Sequence, residues 1–125
     1  MTKTATQESV EQLYAQGRLV EAMKLLANAI AEKETSTLWN DWGVVQIALA
    51  ERAFRRALEL EPANGGTAAN LAVLLCSEGR SAEAVPLLQK ALTQAEGSPR
   101  AHIAALLAQC ESAVSPAPTP AATAG

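Results

Sequence analysis

Apolar residues recur along most of the chain at steps of three and four, the spacing that lines one face of an α-helix. The first run, about Thr6 to Gln16, carries Val10, Leu13 and Tyr14. Gly17 follows, and glycine accepts the left-handed backbone that closes a helix. A second run begins at once, about Leu19 to Lys33, with Ala22, Leu26, Ala29 and Ile30 in phase. A link of two or three residues folds the pair into an antiparallel hairpin, because it reaches nowhere else. A matching hairpin is expected farther on. Its first helix carries Leu71, Ala72, Leu74 and Leu75 and stops at Gly79. Ser81 stands where an N-cap would open the second helix, whose stripe is Ala84, Leu87, Leu88, Ala91 and Leu92. Pro86 falls near the end of that helix's first turn, where a missing N–H costs little. Gly97 and Pro99 are expected to end the element. A last helix, about Arg100 to Glu111, presents Ile103, Leu106, Leu107 and Cys110 and caps the preceding hairpin.

The two hairpins are copies of one pattern. Gly17 matches Gly79, Glu21 matches Glu83, Ala22 matches Ala84, Leu26 matches Leu88 and Ala29 matches Ala91, every pair 62 positions apart. One further unit therefore lies between them. Units of this size stack as a solenoid, each packing on its neighbours.

The intervening stretch carries the clearest resemblance. Leu38-Trp-Asn-Asp-Trp-Gly-Val-Val is followed by Ala53-Phe-Arg-Arg-Ala-Leu-Glu-Leu-Glu-Pro62. Trp39, Trp42 and Gly43 resemble the large and small residues on the first helix of a tetratricopeptide repeat. Phe54, Ala57 and Pro62 resemble the bulky residue, the alanine and the closing proline of its second helix. The resemblance spans about Gln7 to Gln109 and implies an all-α fold: antiparallel hairpins in a short right-handed solenoid. Small residues such as Gly43, Ala29, Ala72 and Ala91 then permit close helix crossing, and Trp42, Phe54 and Leu88 fill the space beside them.

The family's usual role implies a protein-interaction scaffold whose concave face is lined by the first helix of each hairpin. By matched offsets that face takes Gln7, Glu11, Tyr14, Asn40, Val44, Ile47, Ala69, Val73 and Cys76. The lining is mixed and largely neutral. It lacks the Lys/Arg pair with which family members clamp a C-terminal carboxylate, so a chaperone-tail receptor is not expected. An extended or helical peptide held by Tyr14, Val44, Ile47 and Val73 is expected instead, with little dependence on salt.

The middle unit departs from the family. It runs from about Ser36 to Asn64, shorter than the family's 34-residue unit, and the shortfall falls where the family turns. Val44-Val-Gln-Ile-Ala-Leu-Ala-Glu-Arg52 holds no Gly, Pro, Asn or Ser to stop a helix. Trp39, Trp42, Gly43, Ile47, Ala50, Phe54, Ala57 and Leu58 stay in phase across it. One helix, about Leu38 to Leu60, is expected where the family has two, roughly 34 Å long at about 1.5 Å per residue. The alternative is a tight turn near Ala50 between two stunted helices. A straight helix leaves the faces around Trp42–Ile47 and Phe54–Leu58 without their usual mates. A second chain running antiparallel supplies both, which predicts a homodimer formed by exchange of hairpins, with Trp39, Trp42, Ile47, Ala50, Phe54 and Leu58 as core or dimer contacts. Both tryptophans are read as structural. A buried aromatic replaced by alanine costs about 3–5 kcal/mol, so Trp42→Ala is expected to unfold the domain.

Composition narrows the function classes. The chain has 125 residues, suited to one domain, and 49% are apolar but only 3% aromatic, so the core is built from Leu, Ala, Val and Ile. Domain boundaries follow as a flexible 1–5, a helical-repeat domain at 6–111 and a disordered Pro/Ala-rich tail or linker at 112–125. In the tail, Pro116, Pro118 and Pro120 alternate with small residues. Net charge is −3, and the nearest thing to a basic cluster, Arg52, Arg55 and Arg56, is surrounded by Glu51, Glu59 and Glu61. That is a solvated helix face, and nucleic acid is not an expected partner. No apolar leader opens the chain and no run of 18 apolar residues occurs, so no membrane association is expected and a cytoplasmic location is. Cys76 and Cys110 sit in apolar helical contexts and read as buried, inert and reduced. His102 is the only histidine and Asp41 the only aspartate, both placed on helix surfaces. No catalytic pair, metal set or cofactor motif follows from them. A non-enzymatic scaffold is the expectation, with a protein or peptide ligand and a second copy of the chain as partners. The alternatives are an N-terminal repeat module of a larger enzyme, and an altered repeat protein without a specific partner.

Overall fold

A computed structural model describes residues 4–114. Their secondary structure is all helix, as expected: α1 (Ala5–Ala15), α2 (Leu19–Glu32), α3 (Ser36–Leu60), α4 (Gly65–Ser77), α5 (Ser81–Gln94) and α6 (Gly97–Val114), with no strand among the described residues. The chain divides into two compact units, the first ending at Ala53 and the second beginning at Phe54. A single domain was the expectation. The boundary falls inside α3, because no residue there turns the chain and its apolar side chains join two separate cores.

In the first unit, α1 and α2 form a hairpin. Val10, Leu19, Ala22, Leu26 and Val45 are buried together, and Leu13, Met23, Leu25, Leu38, Trp42, Ala48 and Leu49 pack around them. In the second, α4, α5 and α6 pack pairwise around Ala68, Leu71, Ala72, Leu75, Ala84, Leu88, Ala91, Ile103 and Cys110. Phe54 and Leu58 pack against that core from the end of α3.

The 62-residue repeat has a physical basis at its glycines. Gly17 and Gly79 adopt φ of +74° and +75°. After α1 the Arg18 N–H donates to the Leu13 carbonyl at 2.9 Å and the Gly17 N–H to Tyr14 at 3.0 Å. After α4 the Arg80 N–H donates to Leu75 at 2.8 Å and the Gly79 N–H to Cys76 at 3.1 Å. Both are Schellman closures, which satisfy the last carbonyls of a helix and require a left-handed residue. The next helix opens the same way each time. Arg18 Nε donates to Glu21 Oε1 at 2.9 Å, and Arg80 Nε to Glu83 Oε2 at 2.6 Å. The hydrogen bond from Arg18 holds the Glu21 carboxyl below its usual range. An alanine at Gly17 or Gly79 is expected to cost about 1–2 kcal/mol, the left-handed penalty. Gly43 lies inside α3 with nothing within 4 Å of an added Cβ, so Gly43→Ala is expected to stabilise by roughly 0.5–1 kcal/mol. Urea midpoints of the three variants check the difference in sign.

Several boundaries differ from the expected ones. Thr4 forms a capping box with Gln7, so α1 opens at Ala5. Thr35 Oγ1 accepts from the Leu38 N–H at 3.1 Å, so α3 opens at Ser36, before Leu38. Ser81 is not a cap. Arg80 holds the cap position without a side-chain bond, and Ser81 is the buried first residue of α5. Pro86 consequently stands in the second turn of α5, not at the end of the first. Gly97 and Pro99 open α6 where they were expected only to end α5, since the first turn has N–H groups without helical partners and proline is no obstacle there. Helix α6 continues to Val114, three residues into the expected tail. The rest of that tail, with its three prolines, and residues 1–3 lie outside the described residues.

The cysteine expectation is overturned. Cys76 and Cys110 form a disulfide, with Cα atoms 6.6 Å apart, inside the usual range for such bridges. Helices α4 and α6 pack together and bring the two thiols into contact, which a separation of 34 positions does not reveal. Among the described residues, no helix is long and apolar enough to cross a membrane.

Candidate peptide-binding groove

The first unit carries a groove between α1 and α3. Gln7, Val10, Glu11 and Tyr14 follow one another on α1 at steps of three, one and three, and Asp41, Val44 and Val45 do the same on α3 at three and one. Helical spacing puts each set on one face. Val10 and Val45 are buried and form the floor. Tyr14 and Val44 stand 43% and 45% exposed beside it. Gln7, Glu11 and Asp41 supply the polar lining, and the groove has a volume of about 220 Å³.

Of the residues expected on the concave face, Gln7, Glu11, Tyr14 and Val44 meet here. Asn40 and Ile47 are exposed on α3 but do not line the groove. Val73, in the second unit, is exposed. Ala69 is buried, and Cys76 is tied to Cys110, so neither offers a free surface. Asp41, which the sequence places on a helix surface, also lines the groove. It precedes Val44 by three positions and so shares a face of α3 with it, the face that α1 turns into a groove.

The other face of α3 corrects the reading of the tryptophans. Trp39 is 48% exposed and donates from Nε1 to Glu34 Oε1 at 3.1 Å. Trp42 is half-buried against the first core and meets Trp39 edge to face, with centroids 6.4 Å apart. The buried residue of this half is Val45. Ile47 is 40% exposed, and Ala50 is half-buried. Two apolar faces coexist on this half, Leu38–Trp42–Val45–Leu49 and Trp39–Gly43–Ile47–Ala50, both at helical spacing. Periodicity alone cannot choose between them, and the expected stripe of core or dimer contacts combines Trp42 from the first with Trp39, Ile47 and Ala50 from the second. Gly43 was expected to permit a close helix crossing, yet open space surrounds it.

The second unit has a smaller hollow of about 80 Å³, lined by Leu58, Pro62, Ala68, Leu87, Lys90 and Ala91. Among the described residues, no group of three His, Cys, Asp or Glu side chains is placed to hold a metal ion. His102 is exposed on α6.

A family model described as tetratricopeptide repeat matches residues 46–111, from within α3 to the end of the α6 core. No curated protein and no solved structure matches the chain. The matched stretch is more than half of the chain and holds the Gly79 closure, the α4–α5 hairpin and the α6 cap, and on that ground the chain belongs to the tetratricopeptide repeat family.

Proposed function

We propose that the protein is a non-enzymatic assembly scaffold, which binds protein partners and pairs with a second copy of itself by exchanging hairpins along α3. Membership of the family supports the first half of that statement, since its repeats serve as protein-interaction modules. The second half is carried by one observation. The 25-residue α3 has no turn, and the row Trp39, Gly43, Ile47 stands open on its first half. In a family unit a second helix folds back onto that row, and the small residue lets it come close. Here the sequence that would form it, around Phe54 and Leu58, belongs to the same helix α3 and packs against the core of the second unit. The matching segment of another copy, running antiparallel, would cover the row, and two-fold symmetry would satisfy both copies.

Sedimentation equilibrium at micromolar concentration tests the pairing. A species of twice the 13.0 kDa chain mass is expected. Gly43→Leu should keep the helical spectrum and halve that mass, because the added side chain fills the space a partner helix needs. Five residues with a Gly-containing turn inserted after Leu49 should also give a monomer. A wild-type mass of one chain would sink the exchange, and a dimer that survives both changes would place the interface elsewhere.

A further inference from the structure

The groove between α1 and α3 selects its occupant by charge as well as shape, and we infer that it takes a peptide presenting a Lys or Arg beside a bulky apolar residue. The inference rests on the scaffold reading and names the partner class for this site.

The volume limits what enters. A site for a whole small molecule holds roughly 300–1,000 Å³, and this groove has about 220 Å³. It suits one or two side chains of a larger partner. Its floor, Val10 and Val45, is apolar and buried, so the inserted group gains by being apolar. The exposed ring of Tyr14 and the Val44 side chain extend that apolar surface upward. Tyrosine gives large contact area with few rotatable bonds, and its ring face attracts a cation.

Charge makes the choice among apolar peptides. Two charged side chains line the groove, Glu11 from α1 and Asp41 from α3, and both are carboxylates. No Lys or Arg lines it. An acidic peptide would meet like charge from Asp41, whereas a basic one is complementary to it. Asp41 and Val44 lie three positions apart on one helix, as do Glu11 and Tyr14. Each wall thus sets a carboxylate one turn from an apolar contact. The ligand pattern that answers is a basic and an apolar side chain, neighbours on one face. This revises the expectation of little dependence on salt, which rested on the apolar residues Tyr14, Val44, Ile47 and Val73.

Three fluorescein-labelled dodecapeptides test it, identical Leu- and Ala-containing sequences with Lys, Gln or Glu at one central position. The Lys peptide is expected to bind the full chain most tightly and the Glu peptide least, with amide shifts at Tyr14, Asp41 and Val44. Raising the salt should weaken the Lys peptide and leave the Gln peptide unchanged. Asp41→Asn, a change at a half-buried helix position that keeps the side-chain shape, should cost the Lys peptide roughly two- to fivefold in affinity, the range for a single rim charge. The Gln peptide should be unaffected by the same change. Equal binding of all three peptides, or an Asp41→Asn loss shared by the Gln peptide, overturns the charge selection and leaves the scaffold reading standing. Failure of every peptide to shift Tyr14, Asp41 and Val44 overturns the groove as a binding site along with it. The mass of the protein, followed in parallel, reports the pairing independently of either result.

Discussion

Leu88→Ala is expected to destabilise the second unit by about 2–5 kcal/mol, near the upper end of that range. Leu88 is fully buried on α5 within a core that includes Leu71, Leu75 and Ile103. The cost of such a truncation depends on whether the surroundings collapse into the vacated space. Here several core neighbours are alanines, Ala72, Ala84 and Ala91, with no rotamers to swing inward. The helices themselves would have to move, and the Cys76–Cys110 bond holds α4 to α6. Most of the cavity should therefore persist. Hydrogen exchange at the α4, α5 and α6 amides, compared with wild type, reads the loss where it occurs. A change below about 1 kcal/mol would mean that this core is looser than its burial indicates. Trp42→Ala is the instructive contrast. The sequence leads one to expect that it unfolds the domain, but the ring is only half-buried, and its loss should be smaller than that of Leu88.

Those two positions show which features sequence alone conveys. Helix existence was legible wherever the closing chemistry was local. Gly17 and Gly79 announce their turns because left-handed backbone demands glycine, and the Arg and Glu that follow each form the same pair. The Leu88 stripe was legible because α5 has one apolar face. The orientation of α3 was not, because its first half has two. Which is buried depends on where α1 and α2 lie, a tertiary fact that burial of Val45 settles and periodicity leaves open. Gln7, Glu11, Tyr14 and Val44 of the groove were legible from offsets matched to the repeat, and Asp41 was not, because its polarity suggests only solvent. A polar residue one turn from an apolar one is ordinary on a surface helix. It becomes part of a site only when a neighbouring helix supplies the opposite wall.

The disulfide carries the other large expected effect. Cys76 stands near the end of α4 and Cys110 near the end of α6, so the bond closes a loop that contains all of α5. In the chain-entropy account, a loop of about 34 residues removes enough freedom from the unfolded chain to stabilise the fold by roughly 3–4 kcal/mol. For so small a unit that is a large share of a total stability that rarely exceeds about 5–15 kcal/mol. The urea midpoint in dithiothreitol is expected to fall well below that of the oxidised protein. The Cys76→Ala, Cys110→Ala double variant should unfold near the reduced midpoint and ignore the reductant. Cys110 is buried, so alanine there also leaves a small cavity, and the variant should lie slightly below the reduced wild type. Reduction should loosen α6 first. That helix is the last described element of the chain, and once the bond is cut its packing through Ile103, Leu106 and Leu107 and the hydrogen bond that Arg100 donates to the Leu92 carbonyl are left to secure it to the second core. Faster exchange of α6 amides in reductant, with α1 and α2 unchanged, is the expected pattern. Identical midpoints with and without reductant would assign the hold on α6 to packing alone.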